Sequence, residues 1–257
     1  MITKAQLQKD LKKLGIKPTD TLLIHSSLKS IGDVEGGGEA VLDALIEYFD
    51  PAGGLLVLPT LSYNLNAEKP VYSVERTPSI VGVLTELFRK RPGVIRSLHP
   101  THSVAAAGRD AASFVAGHET FDSPGHRNSP WGRLIDRKAK ILFIGTGIGC
   151  NTFLHAVEEQ FNPLLGMTEI PEMLYSVDAG GKTVEVPSRR HNNSHSRFYA
   201  KLEPVFDAAG ILKRGKFGDA NCHLLEAKAT AELVTKLLQK ELLLFTHPRL
   251  PVSFQTK

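Results

Sequence analysis

Apolar residues occur along the chain in two alternating patterns. Three short continuous runs have the length of buried strands: residues 21–25, 55–58 and 140–144. Other segments carry apolar residues at helical spacing: residues 39–49, 151–160 and 227–238. Because strands and helices alternate without repeats or a linker, we predict a single α/β domain over residues 1–257. Its central sheet is expected to be mostly parallel and flanked by helices.

Two segments depart from this alternation. Gly180 and Gly181 separate residues 170–177 from residues 182–186, which predicts a hairpin and hence an antiparallel addition near the C-terminal third. Residues 64–78 are polar and contain two prolines, a composition that indicates a functional loop or lid.

The composition is that of an ordinary globular protein, with 42% hydrophobic and 23% charged residues. It excludes a disordered or collagen-like chain. The net charge of +4 is too small to indicate a nucleic-acid partner. Cys150 and Cys222 lie far apart, as in proteins with reduced thiols. No run approaches the roughly 18 apolar residues of a membrane span, so we expect a cytoplasmic protein without a membrane partner.

The segment after the first predicted strand is a candidate anion site. Ser26, Ser27 and Leu28 follow the strand, and Gly36 and Gly37 lead into a helix. Free backbone N–H groups and the helix dipole favour a phosphate at such a place. The alternative is a flexible connection.

His155 and Glu158 form the candidate catalytic pair. They are three residues apart on a predicted helix capped by Asn151, so they share a face and can hydrogen-bond. A carboxylate on one imidazole nitrogen leaves the other nitrogen free to act as a base. Glu159 is a possible substitute, and the alternative is a surface ion pair.

Three further segments leave alternatives open. The glycines of residues 145–149 resemble the first motif of S-adenosylmethionine methyltransferases, but a tight turn explains them equally well. Four histidines could suggest a metal hydrolase, although structural or substrate-contacting roles fit better without a HExxH pattern: His99, His102, His191 and His195. The basic residues 188–197 suit an anionic ligand or an exposed loop.

Four motifs in order resemble the aminoglycoside N3-acetyltransferase family, which is CoA-dependent and distinct from the GNAT enzymes. They are IHSSLKSIGDVEGGGEAVLDALIEYFDPAGGLLVLPT, RSLHPTHSVAAAG, NSPWGRLIDRKAKILFIGTGIGCNTFLHAVEE and GKFGDANCHLL. Together they span residues 24–225. The match implies an acetyl-CoA-dependent N-acetyltransferase with the family's fold and a role in antibiotic resistance.

The resemblance also implies residue roles. Ser26, Ser27 and the turn through Gly36 and Gly37, with Leu28, would bind the CoA pyrophosphate. Ser103 would contact CoA. His155 would be the general base and Glu158 its orienting partner, in direct transfer without a covalent intermediate on Cys150. No metal is expected, and a homodimer is possible.

The acceptor stays open between two classes of amine. The family implies an aminoglycoside, for which five carboxylates could form an acidic wall: Glu158, Glu159, Glu169, Glu172 and Asp178. Family members commonly carry Asp at the position of Asn128. Its absence and the basic residues 188–197 favour the alternative, an amino sugar linked to a nucleotide or phosphonate. A CoA-binding protein without turnover is the non-enzymatic alternative.

Overall fold

A computed structural model describes residues 1–62, 71–191 and 195–250. Seven strands form one sheet in the order β4-β5-β2-β1-β6-β10-β9, and three form a second sheet in the order β3-β7-β8. The strands are β1 (Thr21–Ser26), β2 (Leu55–Pro59), β3 (Val71–Ser73), β4 (Ile95–Arg96), β5 (Val104–Gly108), β6 (Lys140–Ile144), β7 (Glu172–Val177), β8 (Thr183–Ser188), β9 (Lys213–Phe217) and β10 (Ala220–Glu226).

Helices cover both faces of the larger sheet. They are α1 (Lys4–Lys13), α2 (Gly37–Phe49), α3 (Val83–Phe88), α4 (Ala111–Val115), α5 (Pro130–Asp136), α6 (Phe153–Phe161), α7 (Glu203–Ala208) and α8 (Ala227–Lys240). Two stretches of 3-10 helix matter for the site, Ile148–Cys150 before α6 and His195–Leu202 before α7. Within the described residues, no helix is both long and apolar enough to cross a membrane.

Strand β1 shows why apolar runs become central strands. Its side chains alternate between the two faces of the sheet, so Leu23 packs in one core while Leu22 and Ile24 pack in the other. β1 pairs in parallel with β2 and with β6. The carboxyl ends of all three strands therefore meet at one edge of the sheet, where open α/β sheets commonly bind ligands.

The predicted α/β architecture is confirmed. The sheet is parallel at its centre, and antiparallel strands flank it on both sides. The predicted hairpin is β7–β8, which pairs antiparallel. The proposed lid is described only from residue 71 onward, and there β3 is anchored by parallel pairing with β7. Residues 64–70 of that prediction lie outside the described residues.

Two helices differ from the sequence prediction. The helix expected over residues 80–89 is shorter and begins after Gly82, whose φ of 128° no L-residue adopts easily. The helix expected over residues 198–209 is instead 3-10 helix up to Leu202, followed by α7.

Candidate active site

A cavity of about 620 Å³ opens at the carboxyl ends of β1, β2 and β6, within the usual size range of ligand pockets. Residues from these ends and from the segments around α6 and β8 line it: Ile24, His25, Ser26, Pro59, Leu61, Val81, Thr85, Thr101, His102, Thr146, Gly149, Cys150, Asn151, Thr152, His155, Arg189, Arg190, His191, Ser196 and Tyr199. The lining thus combines apolar side chains with four histidines and two arginines.

His155 lies on the first turn of α6 with its side chain in the cavity wall. Its Nδ1 is 2.9 Å from the hydroxyl of Tyr199. The two rings lie edge to face with their centroids 5.1 Å apart, and Phe245 packs edge to face with the tyrosine ring as well. Tyr199 therefore fixes the orientation of the imidazole and engages one of its nitrogens.

In the described structure Glu158 does not hydrogen-bond to His155, contrary to the prediction. The Glu158 carboxylate instead contacts Nδ1 of His195 at 2.5 Å. Glu158 is almost fully buried, and His195 begins the neighbouring 3-10 helix. Side chains three apart on a helix differ in direction by about 60°, so Glu158 meets the adjacent segment while His155 faces the cavity.

Glu159 anchors a second histidine. Its Oε1 is 3.0 Å from Nε2 of His191, and its Oε2 accepts hydrogen bonds from the Ser123 hydroxyl and the Gly125 amide. The His191 ring lies 4.3 Å from that of His155. Of the two buried carboxylates, Glu159 thus contacts a histidine of the cavity wall, and Glu158 contacts His195, which is not among the described lining residues.

Burial sets the protonation state of this cluster. It lowers the pKa of His155 well below the usual value, and the neighbouring His191 and His195 lower it further. The pKa of His102 is lowered in the same way. Burial, reinforced by Glu158 and Glu159, raises the pKa of Tyr199 well above its usual value. His155 is therefore a neutral imidazole, and Tyr199 a neutral phenol, at physiological pH.

Four polar side chains in the cavity wall have buried atoms without a hydrogen-bond partner in the described structure. Both amide atoms of Asn151, the hydroxyl of Thr146, Nε2 of His25 and Nη1 of Arg190 are in this state. Asn151 therefore does not cap α6 as predicted, and Thr152 holds the cap position. Buried polar atoms without partners are costly, and a ligand with amide or carbonyl groups would satisfy them.

The residues predicted to bind CoA are only partly brought together. Ser26 lines the cavity. Ser27 is not among the described lining residues, and its hydroxyl pairs with Ser30 at 3.0 Å. Leu28 is partly buried and packs against the core that contains α2. Gly36 and Gly37 form the exposed start of α2, where positive φ angles of 80° and 62° favour glycine.

Ser103, which is predicted to contact CoA, is fully buried and is not among the described residues that line the cavity. It donates to the carbonyl of Thr60 at 2.7 Å and accepts from Nε of Arg96 at 3.1 Å. The neighbouring Thr101 and His102 reach the cavity instead.

The described residues do not form the acidic wall predicted for an aminoglycoside site. None of the five carboxylates is among the described residues that line the cavity. Glu158 and Glu159 are hydrogen-bonded to His195 and His191. Glu169 and Glu172 are exposed. No group of three or more His, Cys, Asp or Glu side chains in the described ranges could hold a metal ion. His99 lies in the core, packed on His118.

The sequence profile of aminoglycoside 3-N-acetyltransferases matches residues 23–239. The chain belongs to this family. It is 30% identical over 255 residues to the SPbeta prophage-derived aminoglycoside N(3')-acetyltransferase-like protein YokD of Bacillus subtilis (strain 168), with 91% of each chain covered. This membership makes the chain one of a family of N-acyltransferases and decides against the methyltransferase and metal-hydrolase interpretations.

Solved structures share the fold over nearly the whole chain. The apoenzyme of aminoglycoside acetyltransferase AAC(3)-IVa superposes with a TM-score of 0.80 at 26% identity, covering 99% of this chain and 94% of that one. AAC-IIIb in a binary complex with CoASH gives a TM-score of 0.78 at 23% identity, covering 93% and 97%. The predicted family fold is confirmed.

Sequence reasoning missed Tyr199 and misjudged Asn151. Tyr199 is 44 positions from His155, and no motif joins the two. Asn151 looked like a helix cap from its position alone. Only the structure shows that its unpaired amide lies in the wall of the cavity.

Proposed function

We propose that this protein transfers the acetyl group of acetyl-CoA directly to a primary amine, with His155 as general base. A single observation supports this most strongly. His155, a neutral imidazole, lies in the wall of a ligand-sized cavity with one nitrogen held by Tyr199. Membership of an N-acyltransferase family supplies the reaction class.

His155 removes the proton that prevents the acceptor from reacting. An ammonium ion has no lone pair, so the acceptor nitrogen must lose a proton before it attacks the thioester carbonyl. When Nδ1–H of His155 donates to the Tyr199 oxygen, Nε2 keeps its lone pair and can accept that proton. General-base catalysis of this kind typically contributes 10²–10⁴-fold.

Glu158 acts at a distance in this proposal. Its carboxylate is paired with His195, and that of Glu159 with His191, whose ring contacts that of His155. The two pairs fix the side chains that surround the base. Glu158 is thus a positioning residue rather than the direct partner of the base.

The unpaired polar atoms of the cavity fit the arm of CoA. Pantetheine carries two amide groups, and Asn151 and Thr146 offer the donors and acceptors that such amides need. Ser26 and His25 lie beside them at the end of β1. The Asn151 amide is also a suitable donor to the oxygen that becomes negative when the amine attacks.

Mass spectrometry of products tests the proposal. The protein is incubated with acetyl-CoA and a panel of amines that includes 2-deoxystreptamine aminoglycosides and amino sugars, while released thiol is followed. We expect a product heavier by one acetyl group and equimolar release of CoA. CoA binding without any acetylated amine would contradict catalysis and favour a binding protein.

Cys150 provides the test of direct transfer. It is a free thiol in the cavity wall, five residues before His155. In a ternary-complex mechanism, Cys150→Ser keeps most of the turnover, and no acetylated protein accumulates with acetyl-CoA alone. An acetyl group found on Cys150, together with an inactive serine variant, would overturn direct transfer.

A further inference from the structure

We propose that the acceptor amine carries an anionic group, phosphate or carboxylate, and that Arg190 recognises it. This inference rests on the proposed function, because it names the substrate class of the same cavity. It starts from the charge of the wall. Two arginines and four histidines line the cavity, whereas none of its described lining residues carries a carboxylate.

A cavity lined by arginines and by no carboxylate is unfavourable for binding a polycation. An aminoglycoside brings several ammonium groups, and each would need a carboxylate or carbonyl to replace its water. The described carboxylates nearest the arginines are already paired: Asp122 with Arg189 at 2.9 Å, and Glu172 with Arg190. An acceptor with a negative group meets the opposite situation, a charge of complementary sign.

The two arginines differ in how fully they are engaged. Arg189 donates to Asp122 and to the backbone carbonyls of Thr168 and Glu169, so its guanidinium is fixed by the protein. Among the described residues, the one side-chain partner of Arg190 is Glu172, at a long distance of 3.9 Å, and the Glu172 side chain is 59% exposed.

Arg190 therefore has unused donors. Its buried Nη1 has no hydrogen-bond partner in the described structure. A guanidinium offers five N–H donors in a planar fork that matches phosphate and carboxylate oxygens. The donors of Arg189 are used within the protein, whereas Arg190 has a donor free to bind a ligand.

The position of His191 indicates that Arg190 lies close to the proposed base, His155. It follows Arg190 in the chain, and its ring contacts that of His155 at 4.3 Å. An anionic group held by Arg190 would therefore orient the amine of the same small molecule toward the base. The acceptor is accordingly a small molecule, such as an amino sugar, that carries both the amine and the negative group.

Matched probes test this assignment. Glucosamine, glucosamine 6-phosphate and 2-amino-2-deoxyglucuronate differ only in the group at one end of the sugar, and the last two separate phosphate from carboxylate. Binding is measured by calorimetry and acetylation by thiol release with acetyl-CoA, with a 2-deoxystreptamine aminoglycoside alongside. We expect at least one anionic probe to exceed glucosamine by about 10- to 100-fold in affinity and in kcat/KM, as for a charge-assisted hydrogen bond.

Variants locate the effect. Arg190→Gln should abolish the advantage of the anionic probe, so that its affinity and kcat/KM fall to about those of glucosamine with the same variant. Arg197→Gln is the matched control, because Arg197 is exposed, packs on Phe198 and is not among the described lining residues. Glu172→Gln frees Arg190 from its competitor and should strengthen binding of the anionic probe severalfold, so the assignment does not depend on one variant.

The outcomes separate the two proposals. Equal binding of the neutral and anionic probes, or an anionic advantage that survives Arg190→Gln, would overturn the role of Arg190. Preferred acetylation of the aminoglycoside would also overturn it while supporting acetyl transfer. Tight, Arg190-dependent binding of an anionic probe without thiol release from any amine would support the recognition site and contradict the proposed catalysis.

Discussion

Removal of one hydroxyl group, in Tyr199→Phe, tests how His155 is prepared for catalysis. The substitution deletes the 2.9 Å hydrogen bond to Nδ1. The aromatic ring keeps its contacts with His155 and Phe245. The change therefore acts on the tautomer and orientation of the base and leaves the packing in place.

The size of the expected fall in kcat follows from the loss of the one hydroxyl that pairs with Nδ1 of His155. Without the phenol oxygen, Nδ1–H of His155 is left unsatisfied, which costs about 1–3 kcal/mol, and the tautomer with its lone pair on Nε2 becomes less favourable. Since about 1.4 kcal/mol corresponds to a tenfold change in rate, kcat should fall roughly 5- to 100-fold. KM for acetyl-CoA should change little, because the tyrosine positions the base rather than the cofactor arm.

Steady-state thiol release with acetyl-CoA and an accepted amine measures both constants. Tyr48→Phe is the matched control, since it removes another buried hydroxyl, bonded to the Ile16 carbonyl at 2.7 Å, from outside the cavity. If Tyr199→Phe keeps the wild-type kcat, or raises only KM for acetyl-CoA, the tautomer argument fails.

Three further predictions concern binding and stability. Asn151→Leu should raise the melting temperature of the ligand-free protein, because it removes an unpaired buried amide that costs about 1–3 kcal/mol. The same variant should raise KM for acetyl-CoA, and a fall in both the melting temperature and KM would refute the role of Asn151 in the cavity. Acidification should destabilise the fold, because the pKa values of His25 and His118 are lowered by burial to about 3. The unfolded chain takes up protons below about pH 6.5 while the folded chain does not, so each should cost up to about 2 kcal/mol at pH 5 in urea unfolding; flat stability from pH 7 to 5 would contradict it. Gly145→Ala should destabilise the protein by more than about 1–2 kcal/mol, since φ is 62° and a Cβ would lie 2.2 Å from Cβ of Ser30; an unchanged denaturation midpoint would refute this.

The central strands could be predicted because burial on both faces produces continuous apolar runs. The run at residues 140–144 coincides with β6, and that at residues 21–25 falls one residue short of β1. Strand β9 escaped prediction because it lies at the edge of the sheet, where charged side chains such as Lys213 and Arg214 are tolerated.

The site could be predicted only as far as local spacing reaches. Helical periodicity places His155 and Glu158 on neighbouring faces of α6, and it cannot decide which histidine the carboxylate meets. His195 is 37 positions from Glu158, and Tyr199 lies still farther from His155. The fold, not the local sequence, pairs these side chains, so the order of contacts in the cluster required the structure.

The rate of acetyl transfer by His155→Ala tests the central claim most directly. Under saturating acetyl-CoA and amine, we predict that kcat falls by about 10²–10⁴-fold, with CoA affinity preserved and with partial recovery when free imidazole occupies the space left by the side chain. Thiol release and product formation at the wild-type rate in this variant would show that His155 is not the base.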